Sequence, residues 1–160
     1  MYWCVAQTES QRERVAAEFL AAAKYEVYLP RILVKKREVP LFPGYLFVTI
    51  CEQWWAVRWT IGVIRVLMDG EMPAQVPVKV VDGIRRREGS DGLVKLPRVR
   101  GLERGDAVRI VKGSFAGHLA IYEGMSGEAR VCVLLELLGR KTRMSLERGD
   151  VEAVTTPLVG

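Results

Sequence analysis

Apolar and polar positions along the 160 residues follow two regimes. Up to about residue 87 they switch between strand and helix periods; from residue 101 only strand-length runs remain. Tyr2 to Gln7 is short and apolar and predicts a first strand. Val15, Phe19 and Ala23 recur at i, i+4 and i+8 with Leu20 beside them, which predicts a helix from about Gln11 to Ala23. Ser10 is its expected N-cap and Glu13 its capping-box partner. Tyr25 to Val34 reads as one extended segment interrupted by Pro30. The two prolines of Pro40-Leu41-Phe42-Pro43-Gly44 exclude a helix there, and Gly44 can take a positive φ at the turn. That turn launches a strand, Tyr45 to Ile50, whose alternation sends Tyr45 and Phe47 to one face and Leu46 and Val48 to the other.

A second helix is expected over Glu52–Trp59. Three tryptophans in six residues exceed what one small helix can hide, so at least one should be exposed. Gly62 to Leu67 predicts a strand. Pro77 suits the start of a third helix, with Val80, Val81 and Ile84 inward and Arg85-Arg86-Arg87 complementing its C-terminal dipole. The order β-α-β-β-α-β-α predicts an α+β domain over residues 1–87 with an antiparallel-leaning sheet. Residues 88–100 lose periodicity and, with Gly89, Ser90, Asp91, Gly92 and Pro97, read as a linker. Over residues 101–160, runs at Ala107–Val111, Leu119–Glu123, Arg130–Leu138, Thr142–Leu146 and Val151–Val154 predict a small all-β barrel. The third run is ambiguous. As a strand it places Val131, Val133, Leu135 and Leu137 together; as a helix it places Val131, Leu134, Leu135 and Leu138 together. The turns on both sides favour the strand.

Composition narrows the function classes. Charged residues are 27% and hydrophobic residues 49%, enough for packed cores. Of the net +5, residues 1–87 carry +4, which permits an acidic or nucleic-acid neighbour. Arg12 and Arg14 on the first helix, and the tip Lys35-Lys36-Arg37, are the candidate phosphate contacts; a merely solvated loop is the alternative for the tip. Cys4, Cys51 and Cys132 lie far apart without metal spacing, as expected of reduced packing residues in a cytoplasmic protein. Neither a signal peptide nor a membrane span is expected, and the chain is expected to be a monomer without cofactor. His118 is the single histidine, and no nucleophile–base constellation, CxxC or phosphate-loop pattern appears, so an enzyme is not expected.

Within the barrel, Gly105-Asp106-Ala107-Val108-Arg109-Ile110-Val111-Lys112-Gly113-Ser114-Phe115-Ala116-Gly117 resembles the KOW motif of SH3-like barrels. Joined to Trp3, to Phe42-Pro43-Gly44-Tyr45, and to Gly62-Val63 after a Trp-rich segment, it resembles the NusG family over essentially the whole chain. Leu41 to Val48 and Gly127-Glu128-Ala129-Arg130 are similar to the specialised RfaH branch. The resemblance implies a transcription elongation factor whose N-terminal domain grips the clamp helices of the RNA polymerase β′ subunit and suppresses pausing. By position, Tyr45 and Phe47 line that pocket with Phe42 nearby, and Trp54 and Trp55 replace the RfaH loop that touches the opposite jaw. The barrel is expected to meet Rho or the ribosomal protein NusE, with Phe115, His118 and Tyr122 as contact residues. Contact with DNA is expected to be non-specific, because Glu9 stands where a basic residue would serve a DNA signal. The rival reading is a ribosome-associated or RNA-binding KOW protein.

Overall fold

A computed structural model describes residues 1–96, 107–110, 119–121, 127–139 and 151–153. Strand β1 (Tyr2–Thr8) leads to helix α1 (Glu13–Ala22), then to β2 (Val27–Tyr28), β3 (Arg31–Val34), β4 (Arg37–Pro40) and β5 (Tyr45–Ile50). A 3-10 helix (Trp54–Trp59), β6 (Val63–Val66), β7 (Met68–Asp69), β8 (Met72–Pro73) and α2 (Val78–Arg85) follow. Antiparallel pairing joins four strands in the order β2-β5-β1-β6, with Cys4 opposite Val48 and Val5 opposite Phe47. This confirms a mixed α/β domain on an antiparallel sheet.

The sheet carries a core on each face, as strand alternation requires. Cys4, Ala6, Leu46, Val48 and Ile50 pack under Ala16 and Leu20 of α1. Trp3, Val5 and Phe47 point the other way, toward Ile32, Val76 and Val81. Burial pushes the Cys4 thiol up to about 12, whereas Cys51 is exposed. Only a thiolate reacts readily. Peptide mapping after brief alkylation of the native protein should therefore find Cys51 modified and Cys4 intact until the chain is unfolded.

Several local expectations need correction. Helix α1 begins at Glu13, and its N-cap, Arg12, makes no side-chain cap bond. Gln11 sits in the left-handed region at φ 60°, which takes Ser10 out of capping register. The buried face runs through Glu13, Ala16 and Leu20, while Phe19 is exposed. A larger apolar residue at 19 lost to a small one at 16, because Gly62 approaches there: a Cβ on Gly62 would lie 3.1 Å from the Ala16 Cβ and 3.2 Å from its backbone. The segment Tyr25–Val34 breaks at Leu29-Pro30 into two strands serving different sheets. The tryptophan run is 3-10 rather than α, uncapped and with only Val57 buried, too short and too weakly anchored to propagate an α-helix. Of the stretch read as a linker, residues 88–96 are described and lie on the domain. Val94 is buried in the Phe47 core, and its N–H bonds the Arg31 carbonyl at 2.8 Å.

Gly62 and Gly44 give a paired test. Both have positive φ, 89° and 83°, but a Cβ at Gly44 meets nothing within 4 Å. Gly44→Ala should cost about 1–2 kcal/mol for the left-handed backbone alone. Gly62→Ala adds a clash with helix backbone and should cost visibly more, read as a larger fall in urea midpoint.

Past residue 96, β9 (Ala107–Ile110), β10 (Leu119–Ile121) and β11 (Val151–Ala153) form a three-stranded antiparallel sheet in the order β10-β9-β11. The strand expected over Arg130–Leu138 is instead helix α3 (Gly127–Leu137). Gly139, left-handed at φ 74°, ends it, with its N–H on the Glu136 carbonyl at 2.9 Å. The expected strand over Thr142–Leu146 lies outside the described residues.

Candidate functional site

The turn Leu41–Tyr45 and the adjoining sheet face form an apolar seat. Proline-fixed backbone makes the turn rigid, and hydrogen bonds fix its place. The Leu41 N–H donates to the Pro30 carbonyl at 2.8 Å and the Tyr45 N–H to the Phe42 carbonyl at 3.0 Å. The Thr8 N–H donates to the Gly44 carbonyl at 2.8 Å. On the opposite side, the Gly44 N–H donates to Glu13 Oε1, also at 2.8 Å. Behind the turn, Phe42 meets Phe47 edge-on at 5.9 Å, and Phe47 stacks on Tyr28 at 6.2 Å. These are favourable aromatic geometries.

Tyr28 ties this face to the C-terminal end of α2. Its hydroxyl donates to the Glu88 carboxylate. Burial first, and that bond second, hold its phenol well above the usual range. The Arg85 guanidinium lies 4.8 Å from the Tyr28 ring centre and 5.2 Å from that of Trp3, and reaches the Glu26 carboxylate at 3.6 Å. The arginine expected only to complement a helix dipole is therefore also a cation over two rings.

Helix α3 sits on the seat. Leu134 and Leu135 belong to the same core as Phe42 and Phe47, with Val131 and Leu138 packed against it. Arg130, 6% exposed, donates from Nε to the Leu41 carbonyl at 2.6 Å. At the start of the helix, Gly127 lies so close to Pro43 that a Cβ there would be 3.0 Å from the proline Cγ. Four apolar side chains at helical spacing, one buried guanidinium and one tight glycine thus join a C-terminal element to the N-terminal domain.

The residues singled out from sequence are distributed unevenly over this arrangement. Phe42 and Phe47 are buried, Phe47 completely, and Tyr45 is half-buried. Trp54 is half-buried against the other core and meets Trp55 edge-on at 6.2 Å. Trp55 and Trp59 are 52% and 75% exposed, as the crowding of three tryptophans required. Arg58 stacks over the Trp59 ring at 4.8 Å. Arg12 pairs with Glu9 at 2.7 Å, and Arg14 is exposed. Lys35, Lys36 and Arg37 stand exposed at the β3–β4 turn, where both lysines are left-handed at φ 49° and 64°. Phe115, His118 and Tyr122 lie outside the described residues. Sequence reasoning did not single out Glu13, Arg130, Leu134 or Leu135 as site residues. The signal for the last three was the helical spacing between Gly127 and Gly139.

Among the described residues no group of His, Cys, Asp and Glu side chains could hold a metal ion. No described helix is long and apolar enough to cross a membrane.

The family model described as "Transcription termination factor nusG" matches residues 1–85. Among solved structures, the chain is similar to one described as "Domain interaction in Thermotoga maritima NusG", at 22% identity and TM-score 0.47, over 96% of this chain and 97% of that one. It is also similar to a chain of the MjSpt4:Spt5 complex in two conformations at 15% identity. For conformation B the TM-score is 0.34 over 78% of this chain and 76% of that one; for conformation A it is 0.31 over 78% of each. The family match takes in more than half of the sequence and contains the sheet, the Leu41–Tyr45 turn and α2, so this chain belongs to the NusG family of transcription factors.

Proposed function

We propose that this chain is a transcription elongation factor whose N-terminal domain, residues 1–87, binds the RNA polymerase β′ clamp helices through the Leu41–Tyr45 face. In the docked arrangement, α3 occupies that face as an internal stand-in for the polymerase helices. The observation that carries this reading is the seating of α3: Leu134 and Leu135 share a core with Phe42 and Phe47, and Arg130 is hydrogen-bonded to Leu41. A surface shaped to receive the apolar stripe of one helix is chemically suited to receive another. Tyr45 and Phe42 form the contact layer, and Phe47 supports it from beneath. Trp55, already exposed, meets polymerase beyond the seat.

On this reading the stretch 88–100, of which residues 88–96 pack on the N-terminal domain, leads to a KOW domain, residues 101–160, that forms an SH3-like barrel once released. Its contacts with Rho or NusE use Phe115, His118 and Tyr122. Arg12, Arg14, Lys35, Lys36 and Arg37 follow nearby DNA without reading its sequence. The factor acts in the cytoplasm as a monomer, without cofactor and without enzymatic activity. Suppression of pausing comes from the N-terminal domain, and coupling to termination or translation from the KOW domain.

Binding to assembled elongation complexes and to ribosomes tests the assignment. Residues 1–96 alone should co-migrate with polymerase at least as well as the full chain, and Tyr45→Ala should weaken that binding while leaving the domain folded. Retention on ribosomes alone would instead favour the RNA-binding alternative. Circular dichroism supplies a second check. Isolated residues 101–160 should show a strand-rich spectrum, and the intact chain should show the added helix of α3; a helical spectrum from the isolated segment would remove the change of fold.

A further inference from the structure

We propose that Glu13 is the positioning residue for the seat of α3. Through one hydrogen bond to the Gly44 N–H it fixes the turn that offers the Leu41 carbonyl to Arg130 and the Pro43 ring to Gly127. This deepens the assignment of that face given above and rests on it.

A glutamate in the first turn of a surface helix ordinarily faces water, where it complements the helix dipole at no desolvation cost. Glu13 does not: it is 7% exposed, between Arg12 and Arg14, which are both exposed. A carboxylate turned inward needs a donor to offset lost hydration. Oε1 has one in the Gly44 N–H at 2.8 Å, and a bond to a charged acceptor is among the stronger kinds. The next peptide is held as well, because the Gly44 carbonyl accepts from the Thr8 N–H at 2.8 Å. Both peptide groups of Gly44 are therefore anchored, one to α1 and one to β1, across a left-handed residue whose lack of a Cβ gives it unusual freedom in the unfolded chain.

On its far side the same turn meets α3. The 2.6 Å bond from Arg130 and the close approach of Gly127 to Pro43 both demand that the turn stay where it is. Only a glycine at 127 leaves room for the Pro43 ring, since any side chain there would crowd it. A shift of the turn away from α3 would stretch the bond from Arg130 Nε to the Leu41 carbonyl, whose donor is buried. The bond Glu13 makes is to the turn, at the Gly44 N–H, and it acts on α3 through that turn.

Hydrogen exchange on the full chain tests this, because it reads α3 and the sheet separately. Glu13→Ala should speed exchange of the amides of Leu134 to Leu138 by at least about tenfold, given the strength of hydrogen bonds to charged groups. Amides in the β1–β5 ladder, such as Cys4 and Val48, should change far less. Glu13→Gln keeps an oxygen acceptor at the same reach and should restore α3 protection. Glu13→Asp withdraws the carboxylate by one methylene and should fall between; its contrast with Glu13→Gln decides the matter if the alanine variant fails to fold. Unchanged α3 exchange in Glu13→Ala or Glu13→Asp would overturn the proposal. So would exchange that accelerates in step across α3, β1 and β5, since that is what a merely structural residue would produce. Arg130→Ala separates this inference from the functional reading. If it frees α3 without raising polymerase binding, the reading of the face fails while the role of Glu13 is still judged by exchange. If it does both and the Glu13 variants do neither, only Glu13 is misassigned.

Discussion

Phe47→Ala should strongly destabilise the N-terminal domain, an effect on stability before any on its grip on polymerase. The ring is fully buried, stacked on Tyr28 and edge-on to Phe42, in a core that takes in both α2 and α3. Truncating such a phenylalanine costs about 3–5 kcal/mol, through lost burial and the cavity left behind. A domain of this size has about 5–15 kcal/mol in total. The expected result in urea is a large fall in midpoint with little change in slope. Tyr45→Ala, at a half-buried position on the same face, should lose far less stability and so report binding cleanly. A Phe47→Ala domain as stable as wild type but weak in polymerase binding would show the ring to be a contact residue and not a core residue.

The contrast between positions 45 and 47 shows what was legible in the chain and what was not. Alternation placed Tyr45 and Phe47 on one face and Leu46 and Val48 on the other, and the two cores confirm it. It could not say which of two residues on one face lies deeper, because depth is set by the neighbours that arrive from elsewhere. Here those neighbours are Tyr28 and Phe42, from separate stretches. Helix α1 failed for a related reason. Its large apolar residues, Val15 and Phe19, define one stripe, but the close approach of Gly62 selects the stripe that carries Ala16. Small residues at a packing contact are weak signals in any pattern based on hydrophobicity. Glu13 is subtler still: its spacing from Ser10 satisfies a capping rule, yet it turns inward to a glycine thirty-one residues away. Nothing local distinguishes those two uses of a carboxylate.

The segment Val131–Leu138 was legible as a choice but not as an answer. Both periods fit its apolar residues, and the glycine turns at either end suit a hairpin as well as a helix. Exposure resolves it for the docked chain. Val131, Leu134, Leu135 and Leu138 meet the core, while Val133 and Leu137, which a strand would have buried alongside Val131 and Leu135, are 44% and 57% exposed. The deciding term lies outside the segment, in a seat whose shape accepts a helix. Intrinsic preference is weak enough for such tertiary contacts to override it. On the proposed reading, the same weakness leaves strand pairing open to this segment when polymerase helices take the seat in place of α3.

That competition sets the second large effect. Leu134→Asp should raise the apparent affinity of the full chain for polymerase, whereas a damaged contact residue lowers it. Leu134 is 1% exposed, so the substitution removes an apolar contact worth about 1.5–3 kcal/mol and would bury a carboxylate without a partner. Both effects favour release of α3, and the sequence of residues 1–96, which forms the seat, is left unchanged. If docking holds α3 by about 3 kcal/mol, roughly 1% of molecules expose the seat, and apparent affinity is reduced by that same fraction. Release should then strengthen binding by up to about 100-fold, bringing the full chain level with residues 1–96 alone. Titration of polymerase with the two proteins measures the ratio directly. An affinity unchanged by Leu134→Asp, with α3 shown by hydrogen exchange to be released, would mean that polymerase and α3 use different surfaces. The two substitutions thus push opposite ways at one interface: residue 47 holds the seat together, and residue 134 keeps it occupied.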